Sequence, residues 1–247
     1  MIYYFSGTGN SRYVARKLTF QLGTEAVTIR DNLPTSSCRN IGIVFPVYAW
    51  GLPKPVIQFI RRLRDAGIGE STYIWCVMTC GDETGNAPAI LRRELAASGL
   101  KLSALWSIIM PNVYVLLPGF DVDKKEVERK KLAAAPARID EIAAQVKRRE
   151  HVTDVTLGSW PRLKTTVVYP LFLKYGINTK KFRSTDACIS CGRCAEVCPQ
   201  ENINLADGRP QWDDDCSSCL GCYHACPTQA IEYGTATRGK GHYSGQQ

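Results

Sequence analysis

The sequence predicts an α/β protein of two unequal domains: an open parallel sheet covered by helices, then a smaller, cysteine-rich α+β domain. Three observations carry this. Residues 1 to about 110 alternate between strand-like and helix-like stretches, the pattern of a parallel sheet whose crossovers are helices. From Cys188 the chain repeats itself at an offset of 28 residues, which means two like halves. The 247 residues also exceed one typical domain of roughly 100 to 200 residues.

Strands are predicted at 1–5, 26–29, 40–45, 73–79 and 102–110, each short, apolar and rich in β-branched or aromatic residues. Helices fall between them. The first spans 10–22 and stops at Gly23; the second, 53–65, opens on Pro53; the third, 86–98, stops at Gly99. A further helix at 123–149 begins with Asp123, ends with Lys147, Arg148 and Arg149, and places Val127, Ile139, Ile142 and Val146 at mostly helical spacing. Pro136 is expected to kink it.

These elements assign 1–150 to the first domain. Residues 151–183 form a linker too apolar to hang in water, with Trp160, a run at 167–173 and the basic Lys180, Lys181 and Arg183. It is expected to pack across both domains. The second domain spans 184–234, and the Gly-, Thr-, Ser- and Gln-rich tail 235–247 is expected to be disordered.

The repeat is a repeat of metal-ligand spacing. Cys188, Cys191, Cys194 and Cys198 form C-x2-C-x2-C-x3-C-P, and Cys216, Cys219, Cys222 and Cys226 form it again. This is the bacterial run for two 4Fe-4S clusters, in which the fourth cysteine of each motif ligates the other cluster. One cluster is therefore assigned to Cys188, Cys191, Cys194 and Cys226, the other to Cys216, Cys219, Cys222 and Cys198. Zinc is the alternative, although zinc sites usually pair two C-x2-C units. His224 lies within a motif already complete and is expected on a helix surface. Cys38 sits in a polar loop, Cys76 reads as a small buried hydrophobe, and Cys80 ends a strand where reactivity is conceivable.

A second motif follows the first strand: Ser6, Gly7, Thr8, Gly9, Asn10 and Ser11, then a helix. Hydroxyls and backbone amides at a helix N-terminus cradle phosphate. Arg12 stands where a dinucleotide fingerprint needs glycine, so a mononucleotide fits better; Arg12 itself is expected to be solvated. After the third strand, Pro46, Val47, Tyr48, Ala49, Trp50 and Gly51 put aromatics on a loop at the carboxyl edge of the sheet. After the fourth come Thr79, Cys80, Gly81 and Asp82.

These loops resemble those of flavodoxins, and the whole chain resembles bacterial fusion proteins in which a flavodoxin-like domain precedes a two-cluster ferredoxin. The resemblance implies a doubly wound parallel sheet in the order 2-1-3-4-5, a small C-terminal α+β ferredoxin domain, and FMN with two 4Fe-4S clusters as cofactors. Ligands then bind at the carboxyl ends of the strands, beside the topological switch point.

Composition sets limits on function. The formal charge is +8, but two thiolate-bound clusters bring about −2 each and a flavin phosphate about −2, leaving the loaded protein near +2. Nucleic acid is therefore not an expected partner. No apolar run reaches the roughly 20 residues of a membrane span, and the first residues read as a strand, so a cytoplasmic protein without disulfides is expected. The leading expectation is an electron-transfer flavoprotein with a redox partner protein. The alternatives are an FMN-dependent reductase of a small acceptor such as a quinone or nitro compound, with Asp82 and Glu83 as positional candidates for proton delivery, and a redox sensor docking through basic runs at 124–131 and 147–149. Pairing of two chains stays open.

Overall fold

The computed structural model describes residues 1–30, 33–69, 71–176 and 178–245. Five strands, β1 (Ile2–Tyr4), β2 (Ala26–Thr28), β3 (Asn40–Pro46), β4 (Tyr73–Cys80) and β5 (Leu102–Ile109), lie parallel in the order 2-1-3-4-5. A two-residue strand, β6 (Thr153–Asp154), adds itself in parallel beside β5. It comes from the segment expected to be linker, so the sheet continues past its expected end at 150.

Alternation along the strands divides the core. Tyr3, Ile43, Phe45, Cys76 and Met78 pack beneath α2 (Lys54–Leu63) and α3 (Ala87–Ala97), whereas Ile2, Val44, Trp75, Val77 and Trp106 pack beneath α1 (Asn10–Leu22) and α4 (Lys125–Lys147). Every residue of β4 is buried, as a central parallel strand covered on both faces must be. Helix α4 continues through Pro136 and buries Ile139, Ile142 and Val146, but Val127 is 40% exposed. Its basic run is largely spent on pairs within the chain: Lys125 with Glu128, Lys130 with Glu126, and Lys131 with Asp82 and Asp123.

Residues 151–183 belong to both domains. After β6, a helical segment runs through α5 (Pro161–Leu163), a π turn (Lys164–Val168) and α6 (Tyr169–Tyr175). Strand β7 (Phe182–Ser184) then pairs antiparallel with β10 (Ile231–Tyr233). The C-terminal domain adds α7 (Arg193–Glu196), the hairpin β8 (Ile203–Ala206) and β9 (Arg209–Trp212), and α8 (Gly221–Ala225). Its core also takes in Val115 and Leu116 from the segment after β5, so the two domains share apolar packing.

Two expectations fail here for one reason. Residues 235–245 pack on the domain: His242 stacks on Tyr223 at 4.1 Å, Gly241 donates its N–H to Asp121 at 2.9 Å, and Tyr243 is 1% exposed. His224 is likewise not on a surface but buried, because the returning tail covers α8 and donates the Tyr243 N–H to its Nδ1 at 3.1 Å. Its Nε2 meets the Val113 carbonyl at 2.8 Å, so Nε2 carries the proton and neither nitrogen is left to ligate metal. Burial above all pushes this imidazole down to about 4.

Candidate functional site

Glycines decide how closely the two domains meet. A Cβ on Gly7 would lie 2.5 Å from the Cβ and 3.1 Å from the Sγ of Cys219, and a Cβ on Gly221 would lie 2.5 Å from the Gly7 carbonyl oxygen. The loop after β1 therefore touches the second cysteine loop backbone to backbone.

That contact closes one wall of a cleft of about 640 Å³ at the carboxyl ends of β1, β3 and β4, within the usual range for a cofactor site. Of the predicted loop residues, Ser6, Gly7, Thr8, Asn10, Ser11, Pro46, Val47, Tyr48, Ala49, Trp50, Thr79, Cys80, Gly81 and Asp82 line it. Gly9 and Gly51 do not. Gly9 faces a second cavity on the β2 side, and Gly51 lies flat beneath the Tyr169 ring, 2.3 Å from where its Cβ would be. Sequence reasoning missed the other walls: the segment 110–120, residues Val168, Leu171, Phe172 and Tyr175 of the helical segment, and Ser218, Cys219 and Leu220. The apolar, acid-free character of 155–185 was the available signal.

Hydrogen bonds hold the loops in register. Ser6 Oγ accepts from the Gly9 N–H at 3.2 Å, and the Ser11 and Thr79 hydroxyls pair at 2.8 Å. Asn10 donates to the Pro111 carbonyl and accepts from the Tyr243 hydroxyl at 2.7 Å. Ala49 and Trp50 both take left-handed backbone (φ 46° and 59°), a costly turn of the kind found where side chains must be aimed. The Trp50 indole donates to Glu83 at 2.8 Å, and Glu83 also pairs with Lys164. Tyr48 packs edge-on against Phe5, and its hydroxyl is pushed well up, by burial first and then by Cys219 and Cys216.

The remaining candidates act as braces. Burial opposes the charge on Asp82, yet hydrogen bonds from Asn112 and Lys131 outweigh it and hold the carboxyl below its usual range. Glu83 is occupied by Trp50, Lys164 and the Ser159 N–H. The Cys80 thiol is pushed up to about 12, chiefly by burial, so it is no nucleophile at neutral pH.

The cysteines gather as two nests, each drawing on both motifs. Cys188, Cys191, Cys194 and Cys226 wall one cavity with Ile189, Pro210 and Pro227. In the other nest Cys198 crosses over: its charge acts on Cys216, Cys219 and Cys222. Burial and neighbouring thiolates push Cys219 up to about 12, so an ionised quartet there needs compensating positive charge. Backbone N–H groups of Asn202, Ser218 and Ala230 reach the sulfurs of Cys198, Cys216 and Cys226 at 3.2 to 3.3 Å. Trp212 Nε1 and Ser217 Oγ are buried without another polar partner, and they face Cys222 and Cys219. Thiolates with N–H and O–H donors aimed at sulfur fit iron–sulfur ligation.

Family models agree with this geometry. A flavodoxin domain matches residues 1–115, and a 4Fe-4S dicluster domain matches 187–231. The chain joins a flavodoxin domain to a dicluster domain. That makes it an electron-transfer protein of the FMN and iron–sulfur kind. Among solved structures, the flavodoxin domain is similar to the Fusobacterium nucleatum flavodoxin bound to flavin mononucleotide (12% identity, 60% of this chain and 96% of that one, TM-score 0.43). It is also similar to a Streptococcus pneumonia TIGR4 flavodoxin (13%, 60% and 97%, 0.41) and to an NAD(P)H:quinone oxidoreductase from Methanothermobacter marburgensis (12%, 59% and 94%, 0.39). No curated protein sequence matches the chain. Among the described residues, no helix is long and apolar enough to cross a membrane.

Proposed function

We propose that the chain carries single electrons between a redox partner protein and FMN through two 4Fe-4S clusters in series. Cys188, Cys191, Cys194 and Cys226 hold the outer cluster; Cys198, Cys216, Cys219 and Cys222 hold the inner one. FMN, when bound, exchanges one or two electrons, and each cluster exchanges one. The loop 6–11 takes the phosphate, while Tyr48 and Trp50 stand beside the ring.

The observation that carries this order is the Gly7–Cys219 contact. An inner-nest cysteine lies in the wall of the flavin cleft, whereas Cys191 and Ile189 of the outer nest are exposed. An external protein therefore docks at the outer nest. Anaerobic reductive titration, read at flavin and cluster absorbance together, tests it: the signals equilibrate within one chain, and iron analysis gives eight irons. Clusters that reduce fully while FMN stays oxidised would overturn the reading.

A second reading draws on the apolar wall of the cleft, to which Leu117, Phe120, Leu171 and Phe172 contribute. It suits a flat, apolar acceptor such as a quinone or nitroaromatic, reduced at the flavin. Steady-state turnover of a soluble quinone with no protein partner present distinguishes this reading from pure carriage.

A further inference from the structure

The helical segment between the domains is built inside out. Its inward face is polar in function: Thr165 Oγ1 donates to the Trp50 carbonyl at 2.8 Å and accepts from the Asn86 N–H at 2.8 Å, and the Tyr169 hydroxyl donates to the Leu52 carbonyl at 2.6 Å. Its outward face is hydrocarbon. Leu163, Val167, Leu171 and Tyr175, spaced four apart and so along one side of the helix, are 47 to 65% exposed. Trp160, held in left-handed backbone at the start of the segment, is 75% exposed.

This concentration is unusual for a surface. Eight of the fifteen large apolar side chains exposed among the described residues lie between Leu157 and Tyr175. Two more, Leu117 and Phe120, sit on the adjoining loop, which meets α6 where Tyr114 packs against both Phe120 and Phe172. Isolated exposed apolar residues need no explanation, but a contiguous patch marks an interaction surface.

Charge identifies the occupant. Between Asp154 and Asp186 the chain has six cations and no acid. Lys164 and Arg183 are paired with Glu83 and Glu232. Arg162, Lys174, Lys180 and Lys181 are exposed and have no carboxylate within salt-bridge distance among the described residues. An apolar stripe with tryptophan at one end and cations alongside is the composition of a helix that lies in a bilayer interface, apolar face down, with its cations among anionic headgroups.

We propose that residues 160–175 dock the protein peripherally on an anionic lipid surface. The mouth of the flavin cleft shares Val168, Leu171 and Tyr175 with this face, so docking brings the cleft to the membrane. The proposal is independent of the direction of electron flow, and its test reads partition instead of turnover.

The holoprotein is sedimented with vesicles of phosphatidylcholine plus phosphatidylglycerol and, separately, of phosphatidylcholine alone. Strong partition onto the anionic vesicles only, weakened by salt, is expected. Leu163→Glu with Val167→Glu lowers partition by about tenfold or more, and Arg162→Gln with Lys174→Gln lowers it by about tenfold. All four substituted side chains are exposed, and flavin and cluster absorbance of each variant reports that it is folded. Tryptophan emission shifts to the blue on binding, and Trp160→Phe removes that shift. Absent partition, equal partition onto both vesicle types, partition unchanged in the Glu variant, or a dimer in solution that the Glu variant disperses would each overturn the proposal; the last would make a second copy the occupant.

Discussion

The two cysteine loops carry the same ligand spacing and the same left-handed serine, Ser190 and Ser218, each at φ 56°, yet they sit in opposite surroundings. In the first, Gly192-Arg193 follows the second cysteine; Ile189 is 63% exposed and Arg193 pairs with Glu196. In the second, Leu220-Gly221 stands there instead. Leu220 is 2% exposed despite a left-handed φ of 60°, and Gly221 lies under the Gly7 carbonyl. A side chain at 193 has room; one at 221 has none. The same cysteine spacing thus occurs once with its loop at the surface and once with its loop against the first domain, and the glycine between the second and third cysteines sits one position later in the second loop.

The comparison can be broken in graded ways. The largest effect is expected from ligand loss. Cys222→Ser removes the inner cluster and drops flavin reduction by an external one-electron donor to background. Cys191→Ser removes the outer one, yet a chemical reductant small enough to reach the interior still equilibrates the inner cluster with the flavin. Iron content with stopped-flow absorbance separates the two variants.

Next is Gly221→Ala. Its Cβ has no place, so the loops part at a cost of about 1–3 kcal/mol, read by denaturant unfolding, and electron exchange slows. Arg193→Ala, the matching change in the first loop, stays within about 0.5 kcal/mol. A smaller effect is expected from Trp212→Phe, which deletes an N–H aimed at the inner nest alone. Hydrogen bonds to sulfur favour the reduced cluster, so its potential falls by something on the order of tens of millivolts while the outer one is unchanged; a redox titration with spectroscopic separation of the clusters checks this. Smallest is Tyr243→Phe, which removes the hydroxyl bonded to Asn10 and costs about 0.5–1.5 kcal/mol, measured by thermal or chemical unfolding.

Local chemistry made most of this legible beforehand. Helix α1 starts at Asn10 and stops at Gly23 because capping is a matter of adjacent residues, and the strands show because apolar, β-branched stretches announce themselves. The cysteine crossover follows from motif spacing. What the residues could not announce depends on distant partners. The tail 235–245 is Gly- and Thr-rich and reads as loose, yet Tyr243 finds Asn10 across the whole chain. His224 reads as surface because the segment that covers it lies nineteen residues on. Residues 160–175 read as part of an apolar linker, and only the fold reveals that the Thr165 and Tyr169 hydroxyls point inward.

The contact between Gly7 and Gly221 has a consequence for inheritance. Fused redox modules are usually regarded as exchangeable cassettes, joined by a tether and swapped at will. Here neither loop can gain a side chain unless the other gives way, although more than two hundred residues separate them. A flavodoxin domain grafted onto a foreign dicluster partner would lose the fit. A Cβ at position 7 meets Cys219 and one at position 221 meets the Gly7 carbonyl, so each glycine is held in place by the opposite module and not by its own.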